Sequence, residues 1–491
     1  MSSIKIGWSE ISITPDRKIM LAGQFYERIS EYVETPISVT ALAVDSGEDH
    51  MVICSIDIES IDPILCESVR RLAKEGLSGL NPDKIILAAT HSHTSFVYEG
   101  YHDPGLMALS RYLGHAETAP EPPSGVMSPH EATGFLIDRI YAAVREAWTA
   151  RAPSLYAFGF GRAAVGLNRR ACYFDGSAKM WGDTNTADFK SLEGGNDSGM
   201  ELMFTYDTSK NLTGVVVNIA CPAQVLGQRS MISSDYWGKV RLMLREKLDN
   251  PSLRVLGICS PAGDQCPRDL VRWVEPETPI KDPNIIRDNP PLRRADPSMF
   301  DIKGTVTIGR RIVSEILSVL DDISEYSSDA TVKHIVYTAL PLPLRRVTDE
   351  ENAAARAELA RFSALLGDRE PTFRENSMMH VYAGIAARYD RQQTESIVPC
   401  EVHVMRLGDV AFATSPFELF LDFANIIRAR SAARQTFLIQ MACDSKGYLP
   451  TEKAEQGGHY SAYVSSGNVG HEGGYMLVDT TLRDIDRLFS E

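Results

Sequence analysis

Eight cysteines are spread through 491 residues, and no two stand in a CxxC pair. That spacing excludes a disulfide scaffold and a thiolate zinc ribbon, and reads as reduced, mostly buried thiols. The opening Met1-Ser2-Ser3-Ile4-Lys5-Ile6 lacks the basic start, apolar stretch and small-residue cleavage site of a secretory signal. No apolar run reaches the roughly 18 residues needed for a membrane span, so no membrane insertion is expected. A surplus of base is missing too: 50 Lys and Arg against 65 Asp and Glu leave a net charge of −15. Nucleic acid is not an expected partner, because phosphate neutralisation needs clustered positive charge. The expectation is a soluble, cytoplasmic protein.

What is present is ordinary globular composition, with 44% hydrophobic and 23% charged residues. The length alone would suggest two to four lobes of roughly 100–200 residues. Three segments share one plan. Met51–Ile58 reads as a strand, followed by a helix with Leu65, Val69, Leu72 and Ala73 on one face and a strand Lys84–Thr90. Thr213–Ala220, Asp235–Leu248 and Leu253–Ile258 repeat the pattern, as do Asp409–Thr414, Glu418–Arg430 and Thr436–Met441. Apolar β-rich runs alternating with amphipathic helices indicate βαβ units. The fold class is α/β, with mixed sheets flanked by helices and a site at the carboxyl ends of strands. Thr348 to Glu351 is a capping-box start for a helix reaching Leu366, within a helical insertion at about 348–395. Tyr173 to Ser177 reads as a hairpin turn. Irregular excursions are expected at about 95–133, a long loop or lid, and at 272–297, which carries six prolines.

In open α/β sheets ligands gather beyond the carboxyl ends of strands, and these positions are chemically dense. His91-Ser92-His93 follows the Lys84–Thr90 strand, and alternation sends both imidazoles to one side, as metal ligands, carbonyl polarisers or hydrogen-bonded loop residues. Cys221-Pro222-Ala223-Gln224 follows the next set's first strand, and Asp235 stands where a helix would be capped. Cys259 to Arg268 places Asp264, Gln265 and Cys266 in a Gly-bearing turn. Glu418 falls in the first turn of the third helix, and Tyr448 stands beside Gly447.

Those same residues resemble the neutral/alkaline ceramidases. The resemblance runs through Gly7 to Pro15, Thr90-His91-Ser92-His93, Asn168-Arg169, Ser233-Ser234-Asp235, Gly263 to Pro267, Phe417-Glu418 and Gly447 to Thr451, in that order. It covers most of the chain, implies one catalytic unit over residues 1–491, and leaves no stretch for that family's immunoglobulin-like domain. It implies zinc bound by His91, Glu418 and Tyr448, with His93 and Arg169 on the scissile amide and its oxyanion. Two positions depart. The family's second zinc histidine is replaced within Ala220-Cys221-Pro222-Ala223-Gln224, so Cys221 is the expected substitute ligand and Gln224 a weaker one. The family's serine becomes Cys266, a nucleophile only if its thiol is activated. The expected activity is metal-dependent hydrolysis of an amide or related carbonyl bond in a small polar substrate, with Asp264 and Cys266 orienting water or substrate. The alternatives are a lyase or isomerase moving protons through His93 and Tyr448, and a non-catalytic metabolite-binding relative. Assembly as a homo-oligomer stays open.

Overall fold

The computed structural model describes residues 4–99, 104–114, 122–272, 301–367, 369 and 371–490. Apart from Arg272, the excursion at 272–297 lies outside the described residues. The described part of 95–133 includes a helix, Pro104–Tyr112, and the start of the helix Pro129–Thr149.

Eight strands form the larger sheet. From edge to edge they are Arg254–Cys259, Leu212–Ile219, Gly199–Asp207, Ala152–Arg162, Lys5–Ser12, Ser38–Asp45, His50–Ile56 and Ile85–Ala89. Only the two outermost pairs are parallel, each joined through a helix: Asp235–Lys247 at one edge and Pro63–Gly76 at the other. The centre is antiparallel throughout. A four-stranded sheet follows, ordered Val332–Pro343, Ile397–Leu407, Val410–Thr414 and Gln435–Ile439. Its last pair is parallel, with the helix Leu421–Arg430 between. All three βαβ units read from the sequence are therefore present, and the mixed-sheet α/β class holds.

Side-chain alternation dictates how the sheets stack, since neighbours on a strand face opposite ways. In the larger sheet, Met203, Val216, Leu256 and Ile258 share one apolar cluster with Met405, Val410, Phe412, Phe437 and Ile439 of the smaller sheet. Their alternates, Leu202, Phe204, Val215, Val217 and Val255, face outward onto the helices Asp235–Lys247 and Asp301–Asp321. On the smaller sheet, Val402, Val404, Ala411 and Leu438 face the helices Leu421–Arg430 and His471–Ser490. The layers run helix, sheet, sheet, helix, with the two sheets face to face. Phe412 and Phe437 stack at that junction, ring centroids 4.5 Å apart. The insertion holds helices Asp349–Leu366 and Phe373–Arg391, which pack with Pro104–Tyr112. The Thr348–Glu351 capping box forms in full. No described helix is long and apolar enough to cross a membrane.

One local expectation is corrected. Glu418 lies outside the helix, which begins only at Leu421. Glu418 and Leu419 instead form a short strand parallel to Tyr448–Leu449. The Glu418 N–H donates to Gly447 O at 3.0 Å, while Leu421 N–H donates to Asp264 Oδ1 at 3.0 Å. Backbone pairing thus takes the residues that helix propensity alone would have kept.

Candidate active site

His91 and His93 are placed by the segment leaving the Ile85–Ala89 strand. Thr90, Ser92 and His93 each bond backbone of a neighbouring segment: Ile56 O, Ile58 O and Ala223 O. His91 takes a left-handed φ of 60°. Its Nδ1 lies 2.7 Å from Glu59 O, and His93 Nδ1 lies 2.6 Å from Gly23 O. A carbonyl can only accept, so both Nδ1 atoms carry the proton and both Nε2 atoms of neutral rings present a lone pair. Those Nε2 atoms stand 3.2 Å apart. Glu418 Oε2 is 3.4 Å from His91 Nε2.

Glu418 and Tyr448 are direct cross-strand neighbours in the short parallel pair, which explains how residues thirty apart meet. Arg169 lies against both. Its Nη2 is 3.2 Å from the Tyr448 hydroxyl, 3.6 Å from Glu418 Oε2 and 2.9 Å from Gly263 O. Its Nη1 donates to Gln224 Oε1 at 3.1 Å, and Gln224 Nε2 is 3.2 Å from His93 Nε2. Nε of Arg169 is buried without a hydrogen-bond partner among the described residues.

Charge follows from this packing. Burial opposes a proton on His91, yet the Glu418 carboxylate beside it pushes the pKa up to about 9. Burial and the neighbouring His91 hold His93 well below the ordinary imidazole value, so it is neutral. Burial would raise Glu418, but His91 and Arg169 bring it below the usual carboxylate range. Burial and Glu418 push Tyr448 up, leaving a phenol.

The structure gathers His91, His93, Arg169, Glu418 and Tyr448. It does not bring in Cys221: that thiol faces Val165 O at 3.5 Å and Pro222 O at 3.7 Å, inside the outer apolar cluster. Tyr236 holds the Cys221 carbonyl at 2.6 Å, and the turn then presents Gln224, three residues on, to the site. Asp264 stands back, with Oδ2 on Asn168 Nδ2 at 2.9 Å and Oδ1 on Leu421 N. It positions Arg169, whose N–H bonds Asp264 O at 2.9 Å. The Cys266 thiol donates to Arg268 O at 3.1 Å, and burial pushes its pKa up to about 11, so it remains a protonated thiol despite Arg169 nearby. Asp235 Oδ1 accepts from the first-turn Tyr236 N–H of its own helix at 2.8 Å, while Oδ2 accepts from Leu226 N at 2.9 Å and holds the Gln224 loop. The sequence carries no signal for Glu59, which offers a ligand atom within 4.8 Å of those of His91 and His93. Nor did it signal Tyr460, whose ring meets Tyr448 edge-on at 5.5 Å and Phe25 at 5.7 Å.

No family model and no curated protein matches this sequence. Solved structures do. The crystal structure of neutral ceramidase from Pseudomonas aeruginosa superposes with a TM-score of 0.65 at 16% identity, over 99% of this chain and 75% of the other. A ceramidase complexed with C2 gives 0.64 at 14% identity, over 99% and 76%. The chain has the fold of neutral ceramidase. Within this ceramidase fold the donor set suits a divalent cation. His91 Nε2 and the Glu418 carboxylate converge beside the Tyr448 hydroxyl, and the His91 Nδ1–H rests on a carbonyl, as the outer partners of metal-bound histidines do. The His91–Glu418 separation of 3.4 Å is close to the roughly 3.3 Å between two ligands bonded at about 2.0–2.1 Å around a tetrahedral metal ion.

Proposed function

We propose that the chain is a zinc-dependent hydrolase cleaving an amide or related carbonyl bond in a small polar substrate. The reading is carried by His91 Nε2, 3.4 Å from the Glu418 carboxylate, with Tyr448 directly across the strand pair from Glu418. His91, Glu418 and Tyr448 would hold zinc, and bound zinc supplies Lewis-acid polarisation and a water of lowered pKa.

The protein's own groups divide the remaining work. His93 has no proton on Nε2 in its neutral form, so it would first accept a proton, from the attacking water, and contact the oxyanion only once it carries that proton. The fixed positive charge for the developing oxyanion comes from Arg169, whose Nε–H is not used elsewhere among the described residues. Gln224 holds Arg169 and His93 in one orientation through its two amide ends. The half-buried Tyr460, Phe25 and His380 rings, set edge-on and tilted to one another, would give the unreactive part of a substrate an aromatic wall.

The test combines metal analysis with turnover of a panel of N-acyl amides in ¹⁸O-water. His91→Ala and Glu418→Gln should each remove about one equivalent of zinc, and the acid product should carry one solvent oxygen. Turnover that survives chelation of the zinc, or a product without solvent oxygen, would overturn the assignment.

A further inference from the structure

The two sheets do not end together, and the larger runs on past the open edge of the smaller. That edge is the strand Gln435–Ile439, which among the described residues pairs only with Val410–Thr414. Beside it lies a cavity of about 300 Å³. Glu201, Phe158 and Phe160 of the larger sheet form its floor, and Arg428, Gln435 and Thr436 line its wall. Glu201 is only 5% exposed, whereas Phe160 is 48% exposed and stands at the mouth. None of the lining residues belongs to the His91 centre.

Alternate residues of a strand send their N–H and C=O groups to opposite edges. Ser415 N–H donates to Ile439 O at 2.9 Å, so Gln435, Phe437 and Ile439 serve the ladder. Leu438 points the other way, where the Asn218 amide meets its N–H at 3.2 Å and its C=O at 2.8 Å. Thr436 shares that direction and lines the cavity. Among the described residues neither its N–H nor its C=O meets a partner there. Glu201, the direct cross-strand neighbour of Asn218, lines the same cavity. Its Oε2 accepts from Gln435 Nε2 at 2.6 Å, but among the described residues Oε1 accepts no hydrogen bond and has only Arg428 Nε at 3.6 Å. That Nε is buried without a hydrogen-bond partner, while Asp197 and Ser260 take the two Nη atoms at 2.9 and 2.6 Å. Four groups around one cavity are therefore unpaired. Glu201 Oε1 and Thr436 O are acceptors; Thr436 N–H and Arg428 Nε–H are donors.

We infer that this cavity binds a small molecule bearing a primary carboxamide, with a flat ring against Phe160. A primary carboxamide carries two N–H donors and a carbonyl oxygen with two lone pairs. It matches the two acceptors and two donors in number and in kind. Asn218 already makes this pairing with Leu438, two residues along the same edge. A carboxylate would bring acceptors only, and a charge like that of Glu201; an alkylammonium ion would bring donors only. Buried polar groups left unpaired are costly, which favours the ligand that meets all four. The volume stands at the lower end of small-molecule sites, so the ligand is a single ring with its amide.

Isothermal titration calorimetry of the full chain with nicotinamide and benzamide tests this. Each should saturate a site on wild type. Benzoate and acetophenone, which lack the N–H pair, should bind at least about tenfold more weakly. His91→Ala should bind both carboxamides as wild type does, which keeps this site apart from the proposed hydrolase centre and from its failure. Glu201→Gln places an amide N–H where Oε1 accepts, because Gln435 holds the other oxygen, and should weaken both by about tenfold or more. No saturable binding to wild type would overturn the inference and leave the cavity to water, and that measurement needs no variant to fold. Benzoate binding as tightly as benzamide, loss of binding in folded His91→Ala, or unchanged binding in Glu201→Gln would each overturn it as well.

Discussion

Arg169 ties the candidate centre together, with its guanidinium on Gln224, Gly263 O and the Tyr448 hydroxyl at once. Lysine keeps the charge but not the planar fork, so it can satisfy only part of that set. Arg169→Lys should lower kcat/KM by about 10²-fold or more, in line with removal of an oxyanion donor, while bound zinc stays at the wild-type level. A variant with wild-type kcat/KM would remove Arg169 from the mechanism. Asp235 gives a pH prediction. Burial raises its carboxyl to about 7, against an ordinary value of about 3.9. Between those values the folded chain holds a proton that the unfolded chain has released, so stability falls as pH rises from about 4 to about 7 and levels off above. Urea denaturation across that range should show the decline in wild type and a flatter profile in Asp235→Asn. An identical slope in both proteins would assign the effect elsewhere. His91 and His93 were legible because they follow directly on a strand's carboxyl end, although a left-handed turn at His91, not strand alternation, brings their rings together. Gln224 was legible only as a weak substitute ligand, because its direction depends on a turn set by Tyr236 and Cys221.

At the scale of elements, the centre depends on the short parallel pairing of Glu418–Leu419 with Tyr448–Leu449. Gly467 runs beside it so closely that a Cβ there would fall 1.9 Å from Tyr448 O. No rotamer relieves a clash with backbone, so Gly467→Ala must push Tyr448 out of line with Glu418. The expected outcome is a stability loss of about 1–3 kcal/mol and zinc binding weakened about 10–100-fold. Chelator competition and urea denaturation measure the two, and unchanged zinc affinity would show that Tyr448 is not a ligand. Gly23 plays a related part: its φ is +87° and a Cβ would come within 2.6 Å of His93 Nδ1. Elements closed within a short stretch of chain were legible, including the three βαβ units, the Thr348 capping box and the turn after Tyr173, where Gly176 takes a φ of 89°. The antiparallel centre was not. Lys5–Ser12 pairs with Ser38–Asp45 and with the start of Ala152–Arg162, and nothing local in those strands names partners so distant in sequence. The same limit made Glu418 read as helical, since its strand partner lies thirty residues on.

Across the whole molecule, two sheets share one apolar layer, and a few polar side chains bridge them, Gln435 to Gly159 O at 2.7 Å and Asn218 among them. Asn218, buried on Leu212–Ile219 of the larger sheet, accepts from Leu438 N at 3.2 Å and donates to Leu438 O at 2.8 Å. Leu438 lies on Gln435–Ile439 of the smaller sheet, so the amide reproduces a backbone pairing between sheets that meet mainly through apolar side chains. Asn218→Leu keeps the volume and removes both bonds, leaving a buried N–H and a buried C=O without these partners. Each such group costs about 1–3 kcal/mol, so the variant should lose roughly 2–5 kcal/mol by urea denaturation. Because Phe412, Phe437 and Ile439 belong to the same cluster as Val216 and Leu256, the sheets should unfold together. The transition should therefore stay single, with the midpoint lowered and the slope unchanged. Two resolved transitions in Asn218→Leu would mean that the sheets are separable units which the amide merely fastens. A loss below about 0.5 kcal/mol, within the range of neutral surface substitutions, would mean that apolar packing alone sets their register.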